Sequence, residues 1–85
     1  MHKIPRDISS DNLIKKLKMF DYTIVRQTGS HIRLTSNKMD NPHYLTIPKK
    51  SSLKVGTLNS ILKDIAEYLK ISKEELLEKL FLNRG

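Results

Sequence analysis

Apolar residues recur along the chain with two different periods, and each change of period marks a new element. Leu13, Ile14, Leu17 and Phe20 repeat at helical spacing with Lys15, Lys16 and Lys18 outside the stripe, which predicts a first helix buried along one face. Ser9 stands at an N-cap position, and Ile8 and Leu13 fall at the N′ and N4 places of a hydrophobic staple. Asp21 is the expected end of that helix, since Asp tolerates the left-handed conformation better than most residues. Tyr22 to Gln27 is rich in β-branched and aromatic types and predicts a strand, with Tyr22 and Ile24 facing the core and Arg26 facing away. Thr28-Gly29-Ser30 is a tight turn. His31-Ile32-Arg33-Leu34-Thr35 then alternates as a second strand, so the pair makes a hairpin. After a polar loop from Ser36 to Pro42, His43-Tyr44-Leu45-Thr46-Ile47 alternates again and ends at Pro48, which cannot donate to a ladder.

The helical period returns with Leu58, Ile61, Leu62, Ile65 and Leu69, predicting a second helix from about Gly56 to Lys70. Ser72-Lys73-Glu74-Glu75 has the capping-box pattern, and Leu76, Leu77, Leu80 and Phe81 continue as a third stripe, an additional C-terminal helix over 71–82. The 85 residues are too few for two cores, so the expectation is a polar leader, 1–8, followed by a single domain, 9–85. The order α-β-β-β-α-α predicts an α+β fold: a three-stranded antiparallel sheet with its helices on one face.

Composition narrows the function classes. The chain has no cysteine, which removes a disulfide framework and thiolate metal sites, and the three histidines lack a spaced acid or cysteine partner. No metal or other cofactor is expected. No apolar run approaches the ~20 residues that span a bilayer, and Met1-His2-Lys3-Ile4-Pro5 contains no export signal, so a cytoplasmic protein without a membrane is expected. A Ser-His-acid order, a P-loop and GxGxxG are all missing.

Charge says more. The net charge is +7, and residues 1–56 hold eleven Lys/Arg against four acids while residues 57–85 hold five against five. The whole excess therefore sits in the first two thirds, which points to a polyanion such as nucleic acid, a merely solubilising surface being the plain alternative. Lys49, Lys50 and Lys54 precede a helix N-terminus, where unsatisfied N–H groups already favour anions. Strand alternation sends His31, Arg33, Thr35, Tyr44 and Thr46 to the open face of the sheet. His31 stands beside the glycine turn, where backbone can approach a ligand closely, and its imidazole is suited to proton transfer at neutral pH. An ordinary surface histidine is the alternative. His2, in the leader, and His43, at a loop edge, have less to commend them.

The same residues resemble the HicA toxins of type II toxin–antitoxin systems, also called YcfA-like proteins. Three blocks carry the resemblance: Leu13-Ile14-Lys15-Lys16-Leu17 through Val25-Arg26-Gln27; Gly29-Ser30-His31; and Ile47-Pro48 with Leu53-Lys54-Val55-Gly56-Thr57-Leu58-Asn59-Ser60-Ile61-Leu62-Lys63. They span roughly residues 9–66. The resemblance implies a double-stranded-RNA-binding-domain-like α-β-β-β-α fold and a metal-independent mRNA interferase that inhibits translation. It implies His31 as the catalytic residue, within a Gly-Ser-His signature whose Gly29 and Ser30 form the turn, and a HicB-type antitoxin as partner. On that reading Arg33 with Lys49 or Lys50 stabilises phosphate charge, and Lys15, Lys16 and Lys54 hold RNA backbone. A non-catalytic RNA-binding module with the same basic surface, or a domain that binds an acidic protein, are the competing readings. The chain departs from the family pattern at Asp21, in place of a turn glycine, at Lys49-Lys50, where a second basic or histidine position often occurs, and in the longer segment from Asp64 to Ile71.

Overall fold

The structure, a computed structural model, describes residues 5–82, so residues 1–4 of the leader and residues 83–85 lie outside the described residues. Helix α1 (Ser10–Leu17) begins at its capping serine, where the Asn12 N–H donates to Ser9 Oγ at 3.0 Å. Ile8 and Leu13 are both buried, and Leu53 N donates to the Ile8 carbonyl at 2.8 Å, which ties the entrance of α1 to the segment before the next helix. A 3-10 turn, Lys18–Phe20, closes the helix. Asp21 then stops it with φ 65°, the left-handed conformation that its short polar side chain tolerates.

Strands β1 (Thr23–Thr28), β2 (His31–Ser36) and β3 (His43–Pro48) form one antiparallel sheet in the order β1-β2-β3. Helix α2 (Val55–Leu69) follows, ended by Lys70 at φ 61°, then helix α3 (Lys73–Leu77), capped by Ser72 Oγ accepting from Glu75 N at 3.0 Å. Ile32, Leu34, Leu45 and Ile47 from the sheet meet Leu13 and Leu17 of α1, Leu58, Leu62 and Ile65 of α2, and Leu76 of α3 in one core. These strand residues alternate with exposed ones, so the helices cover one face and leave the other open. The result is an α+β, double-stranded-RNA-binding-domain-like fold with an extra C-terminal helix.

Two details differ from the sequence expectation. The first strand starts one residue later than expected, and Tyr22 is buried just ahead of it. Ile24 lies opposite buried Leu34 on the helix side, yet it is 50% exposed, because β1 is an edge strand lying past the helical cover. The C-terminal stripe is not one uniform helix either. After α3 it widens into a π-helical stretch, Glu78–Leu82, which keeps Leu80 in the core.

Candidate functional site

The open face is organised by a bulge at Val25. Ile24 pairs with Leu34, but the next paired residue of β1 is Arg26, opposite Arg33, so Val25 is the extra residue. Were Val25 paired in the ladder instead of skipped, alternation would put Arg26 on the same side as Ile24, toward the helices. With Val25 skipped, Arg26 and Arg33 stand side by side on the open face, flanked across β2 by Thr46 of β3. One row further toward the hairpin lie Thr28, His31 and Pro48; one row the other way lie Thr23, Thr35 and Tyr44. No Asp or Glu occurs in these three rows. Like charges directly opposite each other cost stability, so a pair of guanidiniums without a carboxylate is a local cost that a bound phosphate offsets. Arg26, Thr28, His31, Arg33 and Thr46 line one shallow hollow.

His31 is held by the turn before it. Thr28 pairs with His31, leaving Gly29-Ser30 as a two-residue hairpin loop with Gly29 at φ 32°, and glycine at the first central place is what such a turn asks for. Ser30 Oγ lies 3.1 Å from His31 Nδ1, and Lys49 N donates to the Ser30 carbonyl at 2.8 Å, fastening the turn to the end of β3. With Nδ1 engaged by Ser30, Nε2 is the ring nitrogen left for a ligand. When the hydroxyl donates, Nε2 carries the proton; when it accepts, Nε2 offers a lone pair.

The structure gathers some of the sequence-singled residues and separates others. His31 and Arg33 share the hollow, and Lys49 follows Pro48, the partner of His31 in the sheet. Lys50 and Lys54 border a neighbouring depression with Pro48 and Thr57, beside the start of α2. The backbone of Lys50 is anchored to Ser10, its N–H donating to Ser10 Oγ at 3.1 Å and its carbonyl accepting from Ser10 N at 3.0 Å. Lys15 and Lys16 lie on the exposed side of α1, in the helical layer, and Lys16 Nζ sits 5.6 Å from the centroid of the Phe81 ring. They do not join the open face. Arg26, by contrast, joins the hollow, although only its outward direction was expected.

His43 has a different environment from the loop edge expected of it. It faces the helices at the far end of β3 and is 14% exposed. The Tyr22 hydroxyl is hydrogen-bonded to His43 Nδ1 at 2.6 Å, and His43 Nε2 lies 3.3 Å from Asp64 Oδ1. Burial, followed by the nearby Tyr68 and Asp64, pushes the Tyr22 phenol well above its ordinary range, so it stays protonated. When the phenol donates to Nδ1, the His43 proton sits on Nε2, toward Asp64. His43 also stacks on Tyr68, with ring centroids 4.6 Å apart, and the Tyr68 hydroxyl accepts from Met39 N at 3.0 Å and donates to the Asn41 carbonyl at 2.5 Å. The network therefore pins the β2–β3 loop to α2. It lies behind the sheet from the open hollow, and its phenol is fully buried, so it serves architecture.

Among known families, the sequence model of the HicA toxin of bacterial toxin–antitoxin systems matches residues 10–66. The chain belongs to that family. Within the HicA match fall α1, the whole sheet, the Gly29-Ser30-His31 turn, the basic segment and most of α2, while α3 lies beyond it. Membership implies an antitoxin partner. No curated protein and no solved structure matches the chain. No helix among the described residues of this HicA chain is long and apolar enough to cross a membrane.

Proposed function

We propose that this HicA chain is a cytoplasmic mRNA interferase: a metal-independent endoribonuclease that inhibits translation by cleaving mRNA, with His31 as general acid or base, and that a HicB-type antitoxin silences it by covering the open face. The observation that carries the reading is the bulge at Val25, which sets Arg26 beside Arg33 one row from His31 with no carboxylate among them. Bulges commonly re-aim a side chain at a functional site. RNA supplies its own nucleophile. The 2′-oxygen attacks phosphorus, the bond to the 5′-oxygen breaks, and the products are a 2′,3′-cyclic phosphate and a 5′-hydroxyl. His31 Nε2 takes the proton from the 2′-hydroxyl, or gives one to the departing 5′-oxygen, while Arg26, Arg33 and Lys49 or Lys50 stabilise charge on the pentavalent phosphate. Lys54 holds backbone. Lys15 and Lys16 reach only a strand that passes around to the helical layer.

His31→Ala tests this. The variant should melt like wild type, bind RNA nearly as well and lose cleavage and growth arrest by ~10²-fold or more. Chelator should leave the wild-type rate unchanged. Cleavage at the wild-type rate by folded His31→Ala overturns the catalytic assignment. One observation favours a non-catalytic RNA-binding module instead: Ser30 is the sole polar side chain bonded to His31 among the described residues, so the acid–base pair is incomplete. That reading expects no cleavage by either protein and a change in affinity alone.

A further inference from the structure

Tyr44 is the one aromatic side chain on the open face, and at 61% exposure it is the most exposed large apolar residue among those described. Strand alternation explains its direction but gives no reason for a bare ring there. Its neighbour across β2 is Thr35, and the next outward residue of its own strand is Thr46, so polar side chains surround it. The Arg26–Arg33 pair fills the row between Tyr44 and His31. Tyr44 thus lies two row steps from His31, roughly 13 Å along the strands at the usual rise per residue.

We infer that Tyr44 is a stacking platform for an unpaired base of the RNA strand whose phosphate is presented to His31. The inference rests on the reading of His31 and the arginine pair as an RNA site, and it deepens that reading by naming the side chain that holds an unpaired base. A flat exposed ring offers its face to any base, whereas a paired base keeps its faces inside the duplex and cannot lie on it. Two adjacent guanidiniums without a carboxylate fit the phosphates on either side of the stacked nucleotide. A single strand laid across the face therefore places a base on Tyr44, its backbone over Arg26 and Arg33, and a second phosphate at His31. The carboxylate-free Arg26–Arg33 row next to the ring favours a phosphodiester strand as its occupant.

The test measures binding in the His31→Ala background, so that it does not depend on cleavage. Tyr44→Ala and Tyr44→Phe are compared on a fluorescein-labelled random-sequence single-stranded RNA, on an abasic ribose-phosphate chain of equal length, and on an RNA duplex. Tyr44→Ala should weaken single-stranded binding by ~5- to 150-fold, the range for one base stacked on an aromatic ring. Tyr44→Phe should bind like the parent. Against the abasic chain and the duplex, Tyr44→Ala should change little, because both lack a free base for the ring. Equal single-stranded affinity for Tyr44→Ala and its parent overturns the platform, as does a Tyr44→Phe variant as weak as Tyr44→Ala. Unchanged RNA binding combined with lost affinity for the antitoxin also overturns it, and assigns the ring to a protein contact. Loss of RNA binding on Tyr44→Ala, with no cleavage by wild-type protein, supports the platform while rejecting catalysis by His31.

Discussion

Gly29→Val separates the two jobs of the Gly-Ser-His turn. Gly29 has φ 32°, and a Cβ built there meets nothing within 4 Å, so the added Cβ does not collide with neighbouring atoms. The backbone conformation carries a cost of its own. An L-residue in the left-handed region loses roughly 1–2 kcal/mol, and a β-branched residue stands at the upper end. For a domain of this size each kcal/mol lowers the melting temperature by ~4–8 °C, so the expected loss is ~4–16 °C. Asn visits this conformation more readily, so Gly29→Asn should recover most of the difference. The strain also reaches His31, because the turn closes on the Thr28–His31 pair and Ser30 bonds the imidazole. Gly29→Val should thus lose melting temperature and cleavage together, whereas His31→Ala loses cleavage alone. Thermal melts followed by circular dichroism, run beside a cleavage assay on all three variants, decide it. A Gly29→Val protein that melts like wild type refutes the backbone argument, and the glycine would then matter for close approach of the ligand.

The triple variant Lys49→Ala, Lys50→Ala, Lys54→Ala should flatten the salt dependence of single-stranded RNA binding by about two units, at ~0.7 per phosphate contact. Its melting temperature should barely move, since the Lys50 backbone bonds survive and Lys54 caps α2 without a side-chain bond; an unchanged slope would place the phosphate track elsewhere. Tyr22→Phe should flatten the alkaline limb of the stability curve. A phenol raised in the folded state contributes stability that is complete below its unfolded value, near pH ~10, and is lost above it by up to ~1.4 kcal/mol per pH unit as the unfolded chain alone gives up the proton. Chemical denaturation across that range, compared between wild type and Tyr22→Phe, checks the difference, and parallel curves would refute it. His43→Ala leaves the buried Tyr22 hydroxyl without its hydrogen-bond partner and should cost ~1–3 kcal/mol, while cleavage by the folded fraction stays near wild type because the network lies behind the sheet. Lost cleavage at full folding would give His43 a part in the chemistry.

What the sequence made legible was whatever depends on local spacing. The α1 cap, the stop at Asp21, the inward sets Ile32/Leu34 and Leu45/Ile47, and the stripe of α2 all follow from periods of 3.6 or 2 and from caps within a few residues. The C-terminal stripe shows the limit of that approach. Leu76, Leu77, Leu80 and Phe81 fit a widened π turn as well as an α-helix, so their spacing could not separate α3 from the stretch after it. The Tyr22–His43–Asp64–Tyr68 network was invisible for another reason: Tyr22, His43 and the α2 pair Asp64 and Tyr68 come from three stretches of chain about twenty residues apart, and no period links them.

The bulge is where local and non-local information meet, and the site depends on it. Ile24 and Val25 are both β-branched and equally suited to a strand, so nothing in that dipeptide says which one the ladder will skip. The choice is made across the sheet. Leu34 belongs to the core and takes Ile24 as its partner, while the hairpin fixes Thr28 against His31 from the other end. Counting inward from the two anchors, β1 has one residue more than β2 between them, and Val25, 53% exposed, absorbs the excess. A tight glycine turn at one end and a core pair at the other therefore force Arg26 to the open face. The consequence is specific. Deleting Val25 should remove the bulge yet leave Arg26 opposite Arg33 on the open face, because both anchors keep their pairs; loss of RNA binding by a folded deletion variant would refute the register argument. The same turn that orients the imidazole thus also fixes, through register, the second guanidinium in the hollow.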